Sequence, residues 1–150
     1  MLPIGDWNAR VGQRHPCLWS LDSDEAVFAT RASTDGVVNA HGNEALGVAA
    51  AARLVILNGL RQLGTRALQD DMFPAGPTFY PPRARGVVQP QSVIDLGMVS
   101  VSLAARVTSC LIGDRIVGCD HRPVRVTLTI PPPLSSPAPA AAPAAAPGRP

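Results

Sequence analysis

The stretch Ser92-Val93-Ile94-Asp95-Leu96-Gly97-Met98-Val99 places a carboxylic acid inside an apolar run. Its length and its β-branched residues read as a central strand. A carboxylate buried there is expensive unless something pairs with it. Any fold available to this chain must therefore bring a partner to Asp95 from elsewhere in the sequence.

Two other places set polar residues beside apolar strands. Leu2, Pro3 and Ile4 lead into Gly5-Asp6-Trp7-Asn8, which reads as the end of a buried strand. Asp6 and Asn8 then share a face, because strand side chains repeat every two residues. Taken by itself the tetrapeptide also fits a strand closed by an Asx turn. Far downstream, Cys119-Asp120-His121 lies in a loop from Gly118 to Pro123. After it Val124, Val126, Leu128 and Ile130 alternate with Arg125, Thr127 and Thr129, the pattern of a strand with one buried face. Acidic residues at strand ends, one next to a His, make a case for metal-assisted hydrolysis. A hard cation such as Mg²⁺ takes carboxylate oxygens, a His paired with an Asp is a general base near neutral pH, and an Asn donates to a charged oxygen. The structural alternative is that His121 caps its loop and Asp95 bonds backbone.

Between these stations the chain reads as mixed helix and strand. His15 falls in a loop and is expected to be solvated, and Ala26 to Thr30 suit a short strand. Asp35-Gly36 begins a turn. Asn43 is a good N-cap for a helix over Glu44 to Arg53 whose apolar face would be Leu46, Ala49, Ala50 and Leu54. Val55-Ile56-Leu57 follows as a buried strand closed by the turn Asn58-Gly59. Asp70-Asp71 suits a solvated loop, Thr78-Phe79-Tyr80 is strand-like, and a further strand falls around Arg106 to Cys110.

Composition narrows the function classes. Residues 131–150 are almost entirely Pro and Ala, a composition that reads as a disordered or polyproline-like tail and leaves residues 1–130 to fold. A formal charge of +2 is too small to indicate nucleic-acid binding by itself. Every basic residue is Arg, which suits bidentate phosphate contacts and equally reflects codon bias. Cys17, Cys110 and Cys119 are odd in number and lack C-x-x-C spacing, so neither a disulfide framework nor a zinc site is indicated. Asp6 and Arg10 interrupt the start where a signal peptide needs an apolar stretch, and no window reaches the length of a membrane span. The expectation is a soluble intracellular chain.

In order along the chain, Gly5-Asp6-Trp7-Asn8-Ala9-Arg10-Val11-Gly12 resembles the G-D-F-N-A-x-x-G block of the endonuclease/exonuclease/phosphatase family. Asn39 to Gly42 resembles its N-x-x-G block, Thr78-Phe79 its T-F/T-W strand, Val93-Ile94-Asp95 its I-D-Y strand, and Asp120-His121-Arg122-Pro123-Val124 its S-D-H-x-P-V block. Within that family the chain looks most like endonuclease domains linked to retrotransposon reverse transcriptases. The resemblance implies an α/β (α+β) fold, a partial four-layer β-sandwich with helices on both outer faces, and metal-dependent phosphodiester cleavage with DNA as the partner. It implies His121 as the base that activates water and Asp95 as the group that orients its imidazole. Asp120 would help hold Mg²⁺ or Mn²⁺, Asp6 would act on the attacking water or leaving oxygen, and Asn8 would bind the scissile phosphate. Leu96 stands for the usual Tyr, a change expected to cost packing, and Cys119 for the usual Ser. The family's metal-binding Glu lies upstream of the G-D-x-N strand, where this chain has Met1 to Ile4, and neither Glu25 nor Glu44 is placed to replace it. The chain therefore reads as the C-terminal part of such a domain, with weakly bound metal and with exposed sheet edges that favour self-association. A phosphoinositide phosphatase or sphingomyelinase-like activity shares the same blocks. A non-catalytic decayed fragment, or a binding module whose Pro/Ala tail docks partners, is the alternative of another class.

Overall fold

A computed structural model describes residues 1–15, 18–19, 26–27, 29–81 and 91–130. The Pro/Ala stretch, Cys17, Glu25, Arg83 and Arg85 lie outside the described residues. The elements in order are β1 (Ile4–Asp6), β2 (Leu18–Trp19), β3 (Ala26–Val27), β4 (Ala29–Arg31), α1 (Ala40–Ala51), β5 (Leu54–Ile56), β6 (Leu60–Leu63), β7 (Arg66–Ala67), β8 (Asp95–Ser100), α2 (Val101–Ala104), β9 (Val107–Ile112) and β10 (Val124–Leu128). The fold is mixed α+β, and its strand pairings are antiparallel.

The run around Asp95 is the central strand it promised to be. β8 lies between β1 and β5 in a three-stranded sheet, and Leu96 to Val99 are all buried. Period-two alternation divides its side chains, and those of β5, between two cores. Leu54, Ile56, Leu96 and Met98 pack with Ala45 and Ala49 of α1 on one face. Val55, Leu57 and Val99 pack on the other with Leu60, Val107 and Cys110, and with the half-buried Val124, Val126 and Leu128 of β10. Gly97 lies on this second face, where a Cβ would stand 3.2 Å from Val126 and 3.3 Å from Cys110. The absent side chain is what lets the β9–β10 ribbon approach the central strand.

Several expectations are corrected. Helices were expected on both outer faces; among the described residues α1 covers one face of the central sheet, and the only other helix, α2, is a single turn that follows β8. The strand ending at Asp6 is an edge strand rather than a buried one, with Ile4 44% exposed. The N-cap is Asn39, not Asn43, and the helix starts at Ala40. The Asn39 side chain accepts from the Gly42 N–H, and a Cβ at residue 42 would fall 2.0 Å from the Arg10 carbonyl oxygen. Only Gly lets the first turn of the helix lie so close to the loop after β1. The buried helix positions are accordingly Gly42, Ala45 and Ala49, with Leu46 half-buried beside them. Leu96 is fully enclosed. His15 is not merely solvated, since its Nε2 accepts from the Ile56 N–H at 3.2 Å. No helix among the described residues is long and apolar enough to cross a membrane.

Candidate active site

β1 and β8 pair so that Asp6 stands directly opposite Asp95, and directly opposed residues of an antiparallel pair project to the same face. That face is the one toward β10, and His121 lies three residues before the start of β10. The three converge: one ligand atom from each of Asp6, Asp95 and His121 lies within 4.8 Å of the other two. His121 Nδ1 is 3.0 Å from Asp95 Oδ1 and 2.9 Å from Oδ2. Asp95 is only 8% exposed, so the imidazole is the partner that its burial demanded.

The segment Thr78–Tyr80 joins the two halves of this pair. Thr78 is fully buried, and its Oγ1 accepts from the N–H groups of Ile94 at 3.1 Å and Asp95 at 3.0 Å. Its carbonyl oxygen accepts from Arg122 N–H at 2.7 Å, and Tyr80 N–H donates to the Asp120 carbonyl at 2.7 Å. Phe79 bridges both Ser92 and His121, and its ring packs on the imidazole at 5.0 Å between centroids. From the other side, Asn58 donates through Nδ2 to the Asp95 carbonyl and accepts through Oδ1 from Gly97 N–H. The buried amide of Asn58 thus extends the ladder of β5 along β8, and Asp95 is held by its backbone on both flanks.

Asn8 sits in the turn after β1 with φ +50°, a left-handed conformation that Asn tolerates. Its N–H donates to Asp6 Oδ1 at 2.8 Å, and its carbonyl accepts from Asn39 Nδ2 at 3.1 Å. Asn39 also accepts from Arg10 N–H, so one amide ties the Asn8 turn to the start of α1. Arg10 in turn grips the buried Asp35 with two bonds, of 2.8 and 2.7 Å. Asp35 further accepts from the N–H groups of Val37 and Val93. Burial works to raise the Asp35 pKa, but Arg10 and these N–H donors outweigh it and hold the carboxyl below its ordinary value.

The hydrogen bond to Asp95 raises the His121 pKa above 6.5; burial opposes it, while the charges of Asp95, Asp6 and Asp120 add to it. Asp120 is half-buried and acts on the imidazole through its charge, but its carboxylate is not among the ligand atoms that converge. The sequence singles out Asp6, Asn8, Asp95, Asp120 and His121, and marks Asn39 and Thr78 only as parts of motif blocks, without the bonds by which they hold the site. Asn58 and Asp35 look like ordinary turn residues. The signal for Asn39 was the Gly three residues after it.

Comparison with protein-family models, with curated proteins and with solved structures finds no match for this chain.

Proposed function

We propose that this chain carries the general-base half of a metal-dependent phosphodiesterase site of the endonuclease/exonuclease/phosphatase type, with DNA as the substrate. The observation that supports it is the contact between the buried Asp95 carboxylate and His121 Nδ1, with Asp6 alongside. Asp95 accepts a hydrogen bond from Nδ1–H and thereby fixes the tautomer in which Nε2 carries a lone pair. Nε2 takes a proton from water, the water oxygen forms the new bond to phosphorus, and the bond from phosphorus to the leaving alkoxide breaks. Asp95 stabilises the imidazolium that results.

The donors suit a hard cation in kind. Both Asp95 oxygens face the imidazole. Asp6 is exposed, and among the described residues its Oδ2 takes no hydrogen bond. Asp6 would thus be the first carboxylate available to Mg²⁺ or Mn²⁺, while the Asp120 carboxylate lies outside the convergence of Asp6, Asp95 and His121. A bound cation would supply charge neutralisation at the phosphate. So few protein ligands should hold Mg²⁺ weakly, since it dehydrates reluctantly.

The test is nicking of supercoiled plasmid by the chain across a Mg²⁺ titration, with His121→Ala as the control. The expected result is a Mg²⁺-dependent excess over that variant which saturates only at high metal concentration. Equal rates for the two proteins at every concentration would overturn the proposal. Hydrolysis of phosphoinositides or sphingomyelin without nicking would keep the dyad and replace the substrate.

A further inference from the structure

We propose that the cleft between the Trp7–Asn8 turn and α1 is a docking subsite for one unstacked nucleobase, of the kind that carries an exocyclic amino group. This rests on the reading of the neighbouring site as a phosphodiesterase. The cleft holds about 260 Å³ and is lined by Trp7, Asn8, His41, Glu44, Ala45 and Val48. Val48 stays 50% exposed, and Trp7 is half-buried, packed against the helix-side core while it also lines the cleft. Around them stand the side chains of Asn8, His41 and Glu44, none of which makes a hydrogen bond or ion pair among the described residues. An apolar wall bordered by a few exposed polar side chains that can exchange water for a ligand is the form of a ligand site.

The chemistry selects the ligand. An aromatic ring and a valine offer a flat apolar face to a π-system, and stacking on aromatic side chains is the general means of binding unpaired bases. Glu44 is an acceptor without donors, so it suits an amino group, while its negative charge disfavours a phosphate in the same place. The Asn8 amide both donates and accepts, as base-edge recognition requires. Position supplies the link to the reaction: Asn8 belongs to the cleft, and its own N–H is bonded to Asp6 of the dyad cluster. Trp7 and α1 lie on the helix face of the sheet and the Asp6–His121 cluster on the other, so a strand reaching both would pass over the Trp7–Asn8 turn at the end of β1. A base stacked on Trp7 gives up its neighbour on that face, so the strand is unstacked at that point.

The probe is deoxycytidine, with thymidine and deoxyribose as controls, and the readout is the Trp7 indole N–H resonance of the ¹⁵N-labelled chain, assigned with the Trp19→Phe variant. Deoxycytidine is expected to shift this resonance saturably and thymidine to bind more weakly, while deoxyribose leaves it unmoved. Val48→Arg should abolish the shift, and Glu44→Ala should weaken binding about tenfold. If Val48→Arg fails to fold, as judged by its own spectrum, Glu44→Ala decides. No shift, an equal response to deoxyribose, or unchanged binding in Glu44→Ala would overturn the inference. The same titration in His121→Ala separates the two proposals, because base docking does not need hydrolysis. A saturable shift without plasmid nicking would discard the nuclease and keep the subsite, and nicking without a shift would do the reverse.

Discussion

At the scale of the residue, Asp95 and His121 answer each other's cost. A carboxylate at the start of a buried strand must be paired, and an imidazole beside a carboxylate keeps its proton to a higher pH. Because the folded pKa of His121 lies above 6.5, the ion pair stabilises the fold fully below that value and the contribution fades as pH rises through the elevated one. A general base works in the opposite direction, since it must be neutral. Nicking is therefore expected to increase with pH through a value above 6.5. In Asp95→Asn the limb should move down toward 6.5, while the plateau rate falls about 100-fold or more, because the imidazolium has lost its counter-charge. Plasmid nicking followed across pH, beside the ¹H titration of the His121 ring, checks this. An unmoved limb would show that another group titrates.

At the scale of the element, the strands that carry the site were legible and the contacts that fix them were not. The acid within an apolar run marked β8, and the alternation after Pro123 marked β10, because burial on one or two faces leaves a period in the sequence. β6, Leu60 to Leu63, leaves no such period, since Arg61 and Gln62 stand together between its leucines. Its strand character comes from pairing with β4 and β7. Arg31 is a similar case. It is buried, donates through Nε to the Asn58 carbonyl at 3.0 Å and through a terminal nitrogen to the Gly12 and Arg14 carbonyls, and burial pushes its pKa down to about 10. No local pattern shows which backbone carbonyls a fold will leave without partners. The junction of β1 with α1 depends on Asn39 in the same way. Asn39→Ala should lower stability by roughly 1–2 kcal/mol in denaturant unfolding, through loss of the cap and of the Arg10 and Asn8 bonds. Asn39→Asp keeps the oxygen that accepts from Gly42 and Arg10 but loses the donor to the Asn8 carbonyl. It should recover most of the stability and still nick more slowly, which would separate capping of the helix from positioning of the turn.

At the scale of the whole molecule, the central sheet is narrow for the work it does. β1 pairs with β8 along one side, and no strand among the described residues pairs along the other. An open edge is a template for another chain unless it is covered or charged. Here the side chain in mid-approach to the edge is Ile4, exposed to 44%, with Met1 at 74% nearby. The three-stranded sheet therefore offers both unpaired backbone and apolar surface at the strand that carries Asp6. Self-association through this edge would place Asp6 near a second copy, so the state of assembly bears on the chemistry as well as on solubility. The chain is expected to sediment as larger species with rising concentration. Ile4→Lys, which charges the edge while leaving Asp6, Asp95 and His121 in place, should shift it toward monomer. An unsubstituted chain that sediments as a monomer at every concentration would overturn this expectation.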